Sequence, residues 1–328
     1  MARAKGSGSP LAAAVIGVEN LEASLGFYRD VIGLDASPVE TWAGPGFERL
    51  WGLPAGATAR ATLCQAGGDE VGRVLLVEFD AAAREPVRAR GERRFYALFN
   101  LNFYTRDIFA SHADLVRRGY EFWTEPVAND LAKGAGSPLE VVFEGPDGVI
   151  INFVEVRGAP GTPLGDIRAF LEDHGTTPTG YTPVVTSAHC VTSHAKALAF
   201  YQQVLGMEVL MDRVMDQDEA NYFLGLPKGS ATQITFLKGD NLFGKIVLSA
   251  PLNYTPPDLT PRAMAPNIGY LAQAFGVADL EGAGSAAAVV GAHAPTARQR
   301  LRVVGLGERA VTAVRNPASG ALTWLLGV

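Results

Sequence analysis

Apolar side chains recur at helical spacing in two short stretches that mirror each other. Leu21, Leu25, Tyr28 and Ile32 step by four, three and four, which gathers them on one helix face. His194, Leu198, Tyr201 and Leu205 step the same way. A small-residue strand precedes each helix, at 12–18 and 184–191. Asn20 and Ser193 stand at the N-cap positions, and Gly33 and Gly206 close the helices where positive φ is wanted. Beyond each helix come short apolar runs separated by Gly and Pro, at 61–63 and 73–79, then at 233–237 and 245–248. They read as a small antiparallel meander, so the unit is βαβββ.

The mirroring extends to sequence. LGFYRDVIGL around Phe27 returns as LAFYQQVLGM around Phe200, and WGLPAG from Trp51 returns as LGLPKG from Leu224, both 173 residues on. GRVLL from Gly72 returns as GKIVL from Gly244, 172 residues on. Such a constant register indicates internal duplication. A second unit follows in the first half: a strand at 99–105, a helix at 108–118 stopped by Gly119, and strands near Glu121, at 139–143 and at 149–156. The second half offers bounding strands at 267–277 and 322–326, but 282–295 is mostly Gly, Ala and Ser, which predicts an eroded or partly looped fourth unit. Pro160, Pro163 and Pro178, with a short helical stretch at 167–172, mark 158–182 as a linker. The chain of 328 residues is therefore read as a first domain at 1–157, the linker, and a more divergent second domain at 183–328. Each half is expected to fold its own cup.

Composition narrows the function. With 48% apolar and 19% charged residues the chain is ordinary for a folded protein. Its formal net charge is −6, and the one basic run, Arg88, Arg90, Arg93 and Arg94, is interrupted by Glu92. That run reads as a solvated loop, with steering of an anionic substrate as the alternative, and nucleic acid is not an expected partner. Cys64 and Cys190 fall in different halves, so neither a disulfide framework nor a zinc spacing is available, and a cytoplasmic location is expected. Arg3 and Lys5 precede an apolar stretch, but Glu19 and an amphipathic helix follow directly, unlike a signal peptide. No apolar run reaches the ~20 residues of a membrane span, so no membrane partner is expected. The glycines punctuate turns and form no phosphate cradle, so nucleotide cofactors are not indicated and the expected cofactor set is none.

The segments VENLEASLGFYRDVIGL, GLPAG, FNLNFYTRDIFASHADLVRRGYEF and EGPDGVIINFVEV, taken in order, resemble the vicinal oxygen chelate superfamily. It includes glyoxalase I, extradiol dioxygenases, methylmalonyl-CoA epimerase and bleomycin-binding resistance proteins. The resemblance covers residues 11–156 well and 182–328 more loosely. It implies an α+β fold: tandem βαβββ modules forming two cup-shaped mixed sheets with helices on the outside. It also implies a divalent metal held by His on the first strand of each of two paired units and Glu on a last strand. Here those positions read Ala13, Asn100 and Asn152, and in the second half Thr186, a position near Ala272, and Trp324. Imidazole and carboxylate are strong ligands and carboxamides are not, so no metal site is expected.

Asn100, Asn102 and Tyr104 alternate along one strand and should share a face with Asn152, making a polar patch inside an apolar cup. The amides either contact a ligand or satisfy one another and water. Glu78 ends its strand near where glyoxalase-like members place a carboxylate, and turned inward it would be a candidate general base. Trp324 would stack on a flat ligand or fill its cup. Histidines 112, 174, 189, 194 and 293 have no partner at ligand spacing and read as structural or solvated, and the inward Cys190 reads as a small core residue.

The function expected from these features is metal-independent binding of a hydrophobic or aromatic small molecule, as in bleomycin-resistance-like sequestering members. The alternative is a metal-free isomerase or lyase acting on a carbonyl compound, with Glu78 as base and Asn100 or Asn152 steadying an enolate oxygen. A metal enzyme of dioxygenase or glyoxalase type with relocated ligands, and an interaction scaffold with vestigial cups, rank behind. A small organic ligand is the expected partner. Superfamily members dimerise, so a homodimer is one implied assembly, and a duplicated chain imitating that dimer within one monomer is the other.

Overall fold

Local chemistry sets the helix ends. In the computed structural model, which describes residues 8–128, 136–294 and 296–328, Asn20 accepts from the Ala23 N–H at 3.0 Å to cap α1 (Leu21–Tyr28). Ser193 has the extended backbone of a cap before α5 (His194–Gln203), but its side chain makes no capping bond. Gly33 and Gly206 lie at φ 81° and 64°, as the helix exits require. Arg3, Lys5 and Pro295 fall outside the described residues.

Four βαβββ units follow one another. The first runs β1 (Leu11–Gly17), α1, β2 (Asp35–Ala36), β3 (Glu40–Ala43), α2 (Pro45–Trp51), β4 (Thr58–Gln65) and β5 (Arg73–Phe79). The second runs β6 (Ala97–Tyr104), α3 (Ile108–Arg117), β7 (Val127–Ala128), β8 (Leu139–Glu144) and β9 (Ile150–Glu155). After α4 (Pro163–His174) comes the third, with β10 (Thr186–Cys190), α5, β11 (Glu208–Met215), α6 (Asp218–Phe223), β12 (Thr232–Lys238) and β13 (Lys245–Pro251). The fourth has β14 (Gly269–Val277), α7 (Leu280–Val289), β15 (Gln299–Val303), β16 (Gly307–Arg315) and β17 (Leu322–Gly327).

The fourth unit is complete, which corrects the expectation of an eroded 282–295. Alanine is the best helix former, Asp279 caps α7 by accepting from the Gly282 N–H, and Leu280, Ala283 and Ala287 bury one face. A composition that looks degenerate is thus a thin helix that can approach its sheet closely. The linker also carries more structure than expected, because Thr162 caps α4 and Pro163 opens its first turn.

The two mixed sheets do not follow the halves of the chain. One has the order β15-β16-β17-β14-β1-β5-β4-β2, with β3 also on β4, and so combines units one and four. The other has the order β11-β12-β13-β10-β6-β9-β8-β7 and combines units three and two. The expectation that each half curls into its own cup is therefore corrected. Within every unit the first strand pairs parallel with the last, which leaves the other edge of the first strand open. An open edge needs a partner, and each is met antiparallel by a first strand from the opposite half, β14 on β1 and β10 on β6.

Leu98, Leu101, Phe103, Ile151 and Phe153 turn to the helix side of the second sheet, while Ala188, Val142 and Val247 turn into its cup. Between the sheets runs a buried polar chain. The Tyr201 hydroxyl donates to Gln273 Oε1 at 2.6 Å, and Gln273 Nε2 donates to Ser187 Oγ at 3.0 Å. His189 lies 3.0 Å from the same hydroxyl through Nδ1 and 2.6 Å from Ser319 Oγ through Nε2. Complete burial pushes the His189 imidazole down to about 3, so it is neutral and structural. No helix among the described residues is long and apolar enough to cross a membrane.

Candidate ligand-binding cup

The two cups share a design and differ in what fills them. In the first, Trp42, Trp51 and Trp324 meet edge to face, with ring centroids 4.9 Å apart for Trp51 and Trp324 and 6.1 Å for Trp42 and Trp324. Phe47 and Phe79 pack beside them. Trp324 is fully buried, so of its two expected roles this geometry matches filling.

Carried 173 residues along the duplication, Trp42 becomes Met215, Phe47 becomes Ala220 and Trp51 becomes Leu224. Where the first cup has Trp324 on its last strand, the second has Asn152 on β9. These smaller side chains border a cavity of about 460 Å³ in the second cup, within the range of small-molecule sites. Phe99, Trp123, Met211, Phe223, Ile234 and Phe236 supply its apolar wall. Pro163, Leu164 and Ile167 of α4 line it as well, so the linker helix is part of the site.

A polar row crosses the floor. Asn152 on β9 pairs with Asn102 on β6, Asn102 with Thr186 on β10, and Thr186 with Lys245 on β13. Strand spacing puts neighbours in such a row about 5 Å apart. Asn100 stands one alternation away, opposite Ala188. A register shift at that point leaves Phe99 as the extra residue of a bulge, which turns both Phe99 and Asn100 toward the cavity. Tyr104 lines the deep end beneath Lys245, whose Nζ sits 5.4 Å from the ring centroid. Burial holds the Tyr104 phenol well above its ordinary range, so it stays protonated.

The Oδ1 atoms of Asn100, Asn102 and Asn152 are buried without a hydrogen-bond partner among the described residues. Asn152 instead uses its Nδ2 to donate to Glu140 at 3.4 Å. Orphaned buried acceptors are uncommon and costly, and three of them converge on one apolar cavity. Arg94 stacks its guanidinium 4.7 Å from the centre of Phe99 and donates to Ser249. Lys245 is 1% exposed, donates to the Leu242 carbonyl, and is pushed down to about 7 by burial.

Asn100, Asn102, Tyr104 and Asn152 therefore come together, and Glu78 and Trp324 lie elsewhere. Glu78 alternates with Val74 and Leu76 toward the helix side of its sheet, where its carboxylate meets Arg60 at 3.0 Å. It faces neither cup, which removes it as a base. The Arg88–Arg94 run is not simply a solvated loop either. Arg88 is buried against Glu144 at 2.6 Å, and Arg94 borders the cavity. Both thiols are buried, Cys64 pushed up to about 12 and Cys190 to about 11, which leaves them unreactive.

Lys245 and Glu140 escaped the sequence reading. The signal for the lysine was present: it heads the expected strand at 245–248 and alternates inward with Val247, where a cation is rarely placed.

Residues 11–153 match the sequence profile of the Glyoxalase/Bleomycin resistance protein/Dioxygenase superfamily. This stretch of the chain belongs to that superfamily. Glyoxalase I from Zea mays shares the fold over 98% of this chain and 94% of its own, with a TM-score of 0.61 at 17% identity. A protein described as a dioxygenase from Bacillus subtilis subsp. subtilis str. 168 does so over 98% of this chain and 86% of its own, with a TM-score of 0.58 at 11% identity. At these identities the likeness is one of fold. No curated protein sequence matches the chain.

The superfamily resemblance implies a divalent ion on the cup floor, and the donor set argues against that fit. Two carboxamides, a hydroxyl and a lysine amine make up the row, and among the described residues no three His, Cys, Asp or Glu side chains converge. Carboxamide oxygens are weak ligands, and the row supplies neither an imidazole nor a carboxylate to strengthen them. The residues of this cup do not fit a divalent metal.

Proposed function

We propose that the chain binds a hydrophobic or aromatic small molecule, without a metal, in the cup formed by β6–β9 and β10–β13. The observation that carries this reading is the pairing of a cavity of about 460 Å³ with three buried carboxamide oxygens that lack a hydrogen-bond partner among the described residues. An apolar body would lie on Phe99, Trp123 and Phe236, and hydroxyl or amine donors on it would meet the amide oxygens. Calorimetric titration of chelator-treated protein with 2-naphthol, an aromatic alcohol of suitable size, tests the reading. One saturable site, with the compound recovered unchanged, is expected. Binding that appears only after a divalent metal is restored would overturn it.

The enzymatic alternative, a metal-free isomerase or lyase acting on a carbonyl compound, loses its base with Glu78. It keeps support from Lys245, an amine already depressed toward neutrality on the floor of the same cavity.

A further inference from the structure

Lys245 is where a lysine is least expected. Its side chain is 1% exposed and borders the cavity from the inward face of β13. Buried cations are normally held by a carboxylate, yet the described ion pairs include none to this residue. Its neighbours are neutral: the Leu242 carbonyl that accepts from Nζ and the Tyr104 ring below it. The face of α4 toward the cavity is apolar, through Leu164 and Ile167. The titratable or charged groups sharing the cavity are Tyr104, Glu140, Glu219, Arg94 and Arg213. Burial pushes the Lys245 amine down to about 7 and so favours its uncharged form, and an uncharged amine is a nucleophile.

We propose that Lys245 captures an aldehyde or ketone group of the molecule bound in this cup as a reversible imine. The inference rests on the reading that a small molecule enters the cup, and it names the reactive group that molecule carries. The Nζ lone pair adds to the carbonyl carbon, forming the C–N bond as the C=O π pair moves to oxygen. The carbinolamine then releases that oxygen as water, which takes both amine hydrogens, and a C=N bond remains. No oxidant or reductant is consumed. Thr186 stands directly beside Lys245 in the cross-strand row, with Asn102 next, so a hydroxyl and an amide are placed to hold the oxygen as it develops charge and leaves. The remainder of the ligand would lie along the apolar wall.

Incubating the intact protein with 2-naphthaldehyde and sodium cyanoborohydride traps any imine as a stable secondary amine. Intact mass and peptide mapping should find one adduct, on Lys245, formed about tenfold or more faster at pH 7 than on the exposed Lys228. Its rate should reach half its maximum near pH 7, well below the titration of a surface lysine, and excess 2-naphthol should slow it. Lys245→Arg and Lys245→Met, shown to be folded by cooperative melting, should lose the fast adduct. Modification confined to surface lysines while 2-naphthol still binds would overturn the imine and leave the binding reading standing. Failure of both 2-naphthol and 2-naphthaldehyde to enter would overturn both.

Discussion

Thr186 and Asn102 stand opposite each other across the antiparallel β10–β6 pair, joining the second half of the chain to the first at the floor of the open cup. Ala13 and Ala274 make the corresponding junction between β1 and β14 in the filled one. Each cup thus borrows one unit from each half, and neither half contains a whole site.

Residues 1–182, which keep the α4 lining of the cavity, and 183–328, produced separately, should therefore lack 2-naphthol binding and expose the open edges of β1, β6, β10 and β14. Mixing them should restore binding, read by calorimetry. A half that binds alone would contradict the shared cup.

Acid should destabilise the protein through His189. Its folded pKa is pushed down to about 3 while the unfolded chain titrates near 6.5, so between those values the unfolded state holds the extra proton. The contribution is fully present above about pH 6.5 and is lost as pH falls toward 3. Melting temperature should fall over that window, and less steeply in His189→Gln, which cannot take up the proton. Parallel curves for the two proteins would show that another group governs the acid limb.

How far the sequence foretold this molecule can be judged from particular residues. The Phe27 and Phe200 repeats located the first and third units, because duplication preserves register and helix chemistry is local, whereas the Gly- and Ala-rich 282–295 hid the fourth. Unit pairing was not legible, since the open edge of β6 carries no mark saying whether β1 or β10 will meet it. Alternation placed Asn100, Asn102 and Asn152 on one face, but Glu78 was assigned by its position near a family ligand and its own alternation with Leu76 points the other way. The exchanges of Trp42 for Met215 and Trp51 for Leu224 were readable in principle. They become meaningful only once α2 and α6 are known to sit in the mouths of different cups.

Trp324→Ala should cost about 3–5 kcal/mol, as expected for deleting a fully buried indole from an aromatic cluster. Because that cluster belongs to the filled cup, 2-naphthol affinity measured under folding conditions should be unchanged. A large loss of affinity with intact folding would move the site to the tryptophan cup.

Lys245→Met should raise stability at neutral pH by about 1–2 kcal/mol, since it removes an amine that is buried with no carboxylate ion pair among the described residues. The sign follows from linkage. Unfolded, the amine keeps its proton to about 10.5, while folded it loses it near 7, so this group makes the wild type gain stability as pH rises between those values. Denaturant melts from pH 6 to 10 should show that rise in the wild type and its loss in the variant. A destabilised variant with no change in slope would mean that the amine is charged and paired.

Ala188 offers the most direct test, because it lies at the centre of the cup floor between Asn100 and Val247, and a side chain grown there occupies the ligand's space. Titrating 2-naphthol into chelator-treated wild type and into Ala188→Trp should give one saturable site in the first and none in the second, with both proteins melting cooperatively. Equal binding by the two proteins, or binding by the wild type only after a divalent metal is added back, would contradict metal-free recognition in this cup.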